Sequence, residues 1–111
     1  MRILVCGGRD YTDFWKVDQV LDNYYSVIRL LIHGAARGAD SLAEEWAKDR
    51  EVPYLGIPAK WKLYGKKAGY LRNKEMLTWH PNLVIAFPGN KGTANMIKLA
   101  EEAGVEVIKV E

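Results

Sequence analysis

Ile3-Leu4-Val5-Cys6-Gly7-Gly8-Arg9-Asp10 is the stretch on which the fold turns. Its four apolar residues run without polar alternation, as in a strand buried on both faces. Two glycines end the run, and glycine lets the backbone turn sharply and approach a neighbour closely. A basic and an acidic residue follow. An apolar run leading into a glycine turn recurs twice. Residues 27–33, interrupted by Arg29, lead into Gly34-Ala35-Ala36-Arg37-Gly38-Ala39-Asp40. Residues 83–87, the most apolar run and so expected at the sheet centre, lead into Pro88-Gly89-Asn90-Lys91-Gly92-Thr93.

Between these runs the apolar period changes to that of a helix. Phe14, Val17, Leu21 and Tyr24 or Tyr25 predict a helix over about 13–24, capped by Thr12 or Asp13. Leu42, Ala43, Trp46 and Ala47 share one face of a helix over 39–50. Residues 52–57 read as a third strand and 58–65 as an irregular loop rich in aromatic and basic residues. A helix over 67–79 is stopped by His80-Pro81-Asn82. Thr93 is placed to cap a last helix over 93–103, which Gly104 closes before a strand over 105–110. Strands alternating with helices across short joins imply right-handed crossovers. The expected fold is α/β: one Rossmann-like domain over residues 1–111. Its five-stranded sheet is mostly parallel, in the order 3-2-1-4-5, with helices on both faces. Ligands of such sheets bind at the carboxyl ends of the strands, near the switch between strands one and four.

Sixteen basic against fourteen acidic residues leave a net charge of +2. That is too little for nucleic-acid binding by bulk electrostatics, so no nucleic-acid partner is expected. Charge must act locally. The single cysteine, Cys6, excludes an internal disulfide and reads as a small buried hydrophobe. No signal peptide and no run of about 20 apolar residues is present, so a cytoplasmic protein without membrane association is the expectation. A small domain with four tryptophans is expected to form a homodimer or higher homo-oligomer.

In a parallel sheet all three glycine turns open on one edge. The helices that start beside them present free N–H groups and a positive dipole end, which together make an anion site. Each turn carries a cation: Arg9, Arg37 and Lys91. None matches a dinucleotide fingerprint or a P-loop. Arg37 is either a solvated loop residue or a bidentate phosphate contact. Arg9 either meets a ligand phosphate or pairs with Asp10 or Asp40. Asp40 caps its helix or bonds a ribose hydroxyl, and Asp10 stabilises its turn or does the same. Arg72 and Asn73 have the spacing of a solvated helix face. His33 reads as structural, and no metal ligand set is present. Trp15, Trp46, Trp61 and Trp79 read as core or interface residues; Trp61 and Tyr64 have base stacking as the alternative.

The chain carries, in order, Gly7-Gly8-Arg9-Asp10-Tyr11, His33-Gly34 with Arg37-Gly38-Ala39-Asp40, Ala59 with Trp61, Arg72-Asn73 with Met76, and Ala86-Phe87-Pro88-Gly89 with Gly92-Thr93 and Met96. Together these resemble the YspA-like branch of the SLOG superfamily over almost the whole chain. That superfamily is similar to the lysine-decarboxylase-like LOG enzymes and to the DNA-processing protein DprA. The resemblance implies a nucleotide-derived small molecule as ligand, with no further cofactor. It implies contacts from Gly7, Gly8, Arg9, Gly34, Arg37, Gly38, Asp40, Arg72, Asn73, Gly89, Gly92 and Thr93. The LOG motif Pro-Gly-Gly-x-Gly-Thr-x-x-Glu ends in a catalytic glutamate, but here Met96 stands at that position. Asn90 replaces the second glycine, and Asn95 stands where relatives often carry aspartate. Any hydrolytic activity would fall to other carboxylates, with Asp10, Asp40 and Glu75 as candidates. Binding, by sensing or sequestering, is therefore the expected function. Hydrolysis of an N-glycosidic or phosphate bond is the alternative, and DprA-like contact with single strands a weaker one.

Overall fold

A computed structural model describes all residues 1–111. The strands β1 (Arg2–Cys6), β2 (Leu30–His33), β3 (Tyr54–Gly56), β4 (Leu83–Ala86) and β5 (Glu106–Lys109) form one sheet in the order β3-β2-β1-β4-β5. Every pairing is parallel; Leu4, for example, stands beside Ile32 on one side and Val84 on the other. The helices are α1 (Phe14–Asp22), α2 (Ala39–Asp49), α3 (Trp61–Tyr64), α4 (Ala68–Leu77) and α5 (Lys91–Glu102).

The unbroken apolar runs are explained by burial on both faces. Alternate residues of the central strands enter two separate cores. Ile3, Val5, Leu31, Leu83 and Ile85 pack with Val17 and Leu21 of α1 and with Ala43, Trp46 and Ala47 of α2. Leu4, Cys6, Ile32, Val84 and Ala86 pack with Met76 of α4 and with Met96 and Ala100 of α5. The sheet order and the two helical layers are as expected from the sequence.

Several boundaries differ from the sequence reading. β2 is shorter, because residues 23–27 form turns and Met1 holds that stretch through its ammonium, which donates to the Val27 carbonyl at 2.6 Å. β3 keeps only three residues. Residues 58–65 are not irregular throughout: α3 and a 3₁₀ turn over Gly65–Lys67 fill the approach to α4. α1 begins as expected, since the Asp13 carboxylate accepts from the Lys16 N–H at 3.1 Å.

Thr93 does not cap α5. The helix starts two residues earlier at Lys91, its N-cap is Asn90, and Thr93 lies buried in the first turn. Of the four tryptophans only Trp46 is core; its indole N–H donates to Asp22 at 2.8 Å. Trp15, Trp61 and Trp79 are exposed.

Ile85 is fully buried in β4, the strand that joins β1 to β5. Ile85→Ala is expected to cost about 2–5 kcal/mol, the range for truncating a buried aliphatic side chain. A urea titration followed by circular dichroism measures it.

Candidate functional site

The three glycine turns meet through backbone. The Gly8 N–H donates to the Pro88 carbonyl at 2.8 Å, and the Gly8 carbonyl accepts from the Ala39 N–H at 3.1 Å. One residue therefore ties the first turn to the third and to the start of α2. A Cβ on Gly8 would stand 3.0 Å from the Pro88 carbonyl oxygen. Gly38 has φ +79°, and a Cβ there would run into the Gly8 carbonyl oxygen and the Arg9 backbone. At Gly38 a side chain is excluded by the neighbouring backbone, and at Gly8 a Cβ would require the Pro88–Gly89 backbone to give way slightly.

A cleft of about 850 Å³ opens where the turns converge. Gly7, Gly8, Arg9 and Asp10 of the first turn line it, with Ala36, Arg37 and Asp40 of the second and Asn90, Lys91, Gly92 and Thr93 of the third. Arg72 and Asn73 reach it from α4, and Trp61, Lys66, Gly69 and Tyr70 close it on the side of α3. Gly34 faces a smaller adjoining cavity. Gly38 and Gly89 line neither; they are packed beneath, Gly89 against Gly8 and Thr93. Glu75 is exposed and lies outside both cavities. Tyr70 is a lining residue that sequence spacing did not single out, because only folding brings α4 to this edge.

Arg9 pairs with neither Asp10 nor Asp40. Its guanidinium lies 5.1 Å from the centre of the Trp61 ring. Arg37 takes Asp10 instead, at 3.2 Å, with both side chains largely exposed. Such a pair is worth about 0–1 kcal/mol, so an incoming anion can displace it.

Arg72 is half-buried rather than on a solvated helix face. It donates to the Gly34 carbonyl, and its Nε donates to the Asn73 side chain at 3.1 Å. Asn73 is buried; its amide donates to the Gly92 carbonyl at 3.1 Å and to Asn95 at 2.9 Å, fastening α4 to the start of α5. Burial draws the Arg72 guanidinium below the ordinary arginine range, with the Arg9 charge adding and Asp40 opposing.

Asp40 does not cap α2, whose N-cap is Gly38. Its carboxylate shapes the preceding turn, with one oxygen accepting from the Gly34 N–H at 3.0 Å and the Ala36 N–H at 3.3 Å. His33 is buried and structural. Its Nδ1 accepts from the Ala35 N–H at 2.9 Å, so the ring proton sits on Nε2, which donates to Glu44 at 2.9 Å.

Cys6 lies at the cleft floor. Burial pushes its thiol up to about 12; the Asp40 charge adds to this and the Arg72 charge opposes it. It has no nucleophilic thiolate near neutral pH. Met96 is fully buried in the core beside Met76 and Ala100, and it does not face the cleft.

Comparison with known proteins places these features. The model of the family described as YAcAr (YspA, cpYpsA-related SLOG family) matches residues 1–64, which carry the first two glycine turns. The chain is also similar to the Gene 61 protein of Mycobacterium phage D29. The two are 36% identical over 119 aligned positions, which cover 96% of this chain and 94% of that protein. No helix of the chain is long and apolar enough to cross a membrane.

Burial raises the Asp40 carboxyl above its ordinary range, against the N–H donors of Ala36 and Gly34 and the charge of Arg72. Folding thus favours the protonated form. The associated stabilisation is full below the unfolded value of about 4 and is lost as pH rises through the elevated folded value. Asp40→Asn keeps an acceptor for both N–H groups and removes the charge. Its stability relative to wild type should therefore increase as pH rises from about 4 through the elevated folded value. Urea midpoints of both proteins across that range test this.

Proposed function

The chain belongs to the YspA, cpYpsA-related SLOG family, and on that premise we propose that its cleft binds a phosphate-bearing nucleotide or nucleotide derivative. Family membership points to a nucleotide-related role, whether binding or enzymatic. The observation that carries the narrower reading is the convergence of Arg9, Arg37, Arg72, Lys66 and Lys91 on one cleft whose carboxylates are only Asp10 and Asp40. Arg9 has no carboxylate within ion-pairing distance. The backbone of the glycine turns and the start of α5 lie against the same space, where N–H groups and the helix dipole favour an anion. The volume falls within the roughly 300–1,000 Å³ of small-molecule sites.

Binding rather than turnover is supported by where the carboxylates stand. Asp40 Oδ2 already accepts two backbone N–H groups. Asp10 is exposed and paired with Arg37, and Glu75 lies outside the cleft. The position that carries the LOG glutamate holds the buried Met96. In this reading the phosphate rests on the glycine turns and arginines, and the ribose lies toward Asp40.

Calorimetric titration of the full chain against nucleoside mono- and diphosphates is expected to give saturable binding. A charge-assisted hydrogen bond contributes about 1.5–3 kcal/mol and each 1.4 kcal/mol is tenfold, so Arg9→Ala or Arg72→Ala should weaken binding roughly ten- to hundred-fold. Glu75→Gln should leave it unchanged. Absence of binding by every nucleotide at millimolar concentration would sink the reading.

A further inference from the structure

A second cavity of about 350 Å³ adjoins the main cleft. The two share Arg9, Ala36, Arg37, Trp61 and Arg72, so one wall with three guanidiniums separates them. The smaller chamber is otherwise lined by Gly34, Ala35, Pro58 and Ala59, and no carboxylate borders it. Its lining is small and apolar apart from the dividing wall, with the Trp61 indole along one side.

None of the arginines of that wall is paired with a buried carboxylate. Arg9 rests on the Trp61 ring without an acidic partner, Arg37 is held by an exposed pair, and Arg72 donates to neutral oxygens. Arg9 and Arg72 also repel, as the Arg9 contribution to lowering the Arg72 guanidinium records. Three guanidiniums concentrated on a divider suit an anion that straddles it more than one confined to a single side. Guanidinium donors match phosphate oxygens bidentately. A small apolar chamber with an indole wall suits a flat heterocycle, since base–aromatic stacking contributes about 1–3 kcal/mol.

We propose that the site takes a ligand of two ring-bearing halves joined through a pyrophosphate. The bridging phosphates lie on Arg9, Arg37 and Arg72. One nucleoside half occupies the main cleft, and the ring of the other enters the smaller chamber against Pro58, Ala59 and Trp61. This rests on the nucleotide reading above and specifies its ligand class. Pro58 and Ala59 thereby become specificity-determining residues.

The test compares calorimetric affinities of the full chain for ADP and diadenosine diphosphate, and for GDP and diguanosine diphosphate. At least one pyrophosphate-linked pair should bind ten-fold or more tightly than the corresponding nucleoside diphosphate. Ala59→Leu, in a partly exposed loop, adds bulk to the wall of the smaller chamber where the second ring would lie. It should abolish that advantage while leaving nucleoside diphosphate binding within two-fold of wild type. Equal affinities within both pairs in the wild-type protein overturn the two-chamber proposal and leave the nucleotide reading standing. An advantage that survives Ala59→Leu, or a variant that weakens both ligand types alike, also overturns it. Failure of all four compounds to bind overturns both readings.

Discussion

The backbone of Gly8 is the constraint on which the rest of the cleft edge depends. Its N–H reaches the Pro88 carbonyl and its carbonyl receives the Ala39 N–H, so three separate turns share one hub. Neither bond is possible at these distances if the chain between β1 and α1 stands off to make room for side chains. The neighbouring glycines serve the same approach: Gly38 lies against the Gly8 carbonyl, and Gly89 lies against the Gly8 N–H. A sheet edge that would otherwise carry three independent loops becomes one rigid rim. The two central strands set this up, because β1 and β4 are paired directly and deliver their turns side by side.

Rigidity at that rim bears on electrostatics. Cations brought together on a mobile surface drift apart, and their mutual repulsion is screened by solvent. Here Arg72 is held by the Gly34 carbonyl and Asn73, and Asn73 is itself held by Gly92 and Asn95. Arg9 is held over Trp61. Donors fixed before a ligand arrives lose less conformational entropy when it binds. The buried carboxyl of Asp40 belongs to this scaffold: it orders the turn between β2 and α2 from behind.

Much of this was legible in the sequence. The apolar runs, the three glycine turns and the 3-2-1-4-5 order follow from strand burial, turn chemistry and crossover handedness. Arg9, Arg37 and Arg72, Asp40 and the third turn all line the cleft or its neighbour. The misreadings have local causes. Thr93 looked like a helix cap because capping chemistry is read from residue type, whereas α5 starts at Lys91 once the turn is pinned by Pro88. Arg72 looked solvated because helical period says nothing of a carbonyl 38 positions away that happens to face it. Glu75 was a candidate from its residue type alone, yet it lies exposed on α4 outside both cavities.

What the sequence by itself determined was the kind of fold and the edge where the three glycine turns meet and the cleft opens. Periodicity, glycine position and apolar runs are local properties, and parallel topology converts them into a shared edge. What only the tertiary structure decided was which side chains meet there. Trp61 against Arg9, Arg72 against Gly34, and the dividing wall between two chambers all join residues distant in the chain. Such contacts depend on how α3 and α4 dock on the sheet, which is fixed by packing of Met76, Met96 and Ala100 in the core and by the Asn73 bonds to α5. No residue spacing encodes those distances.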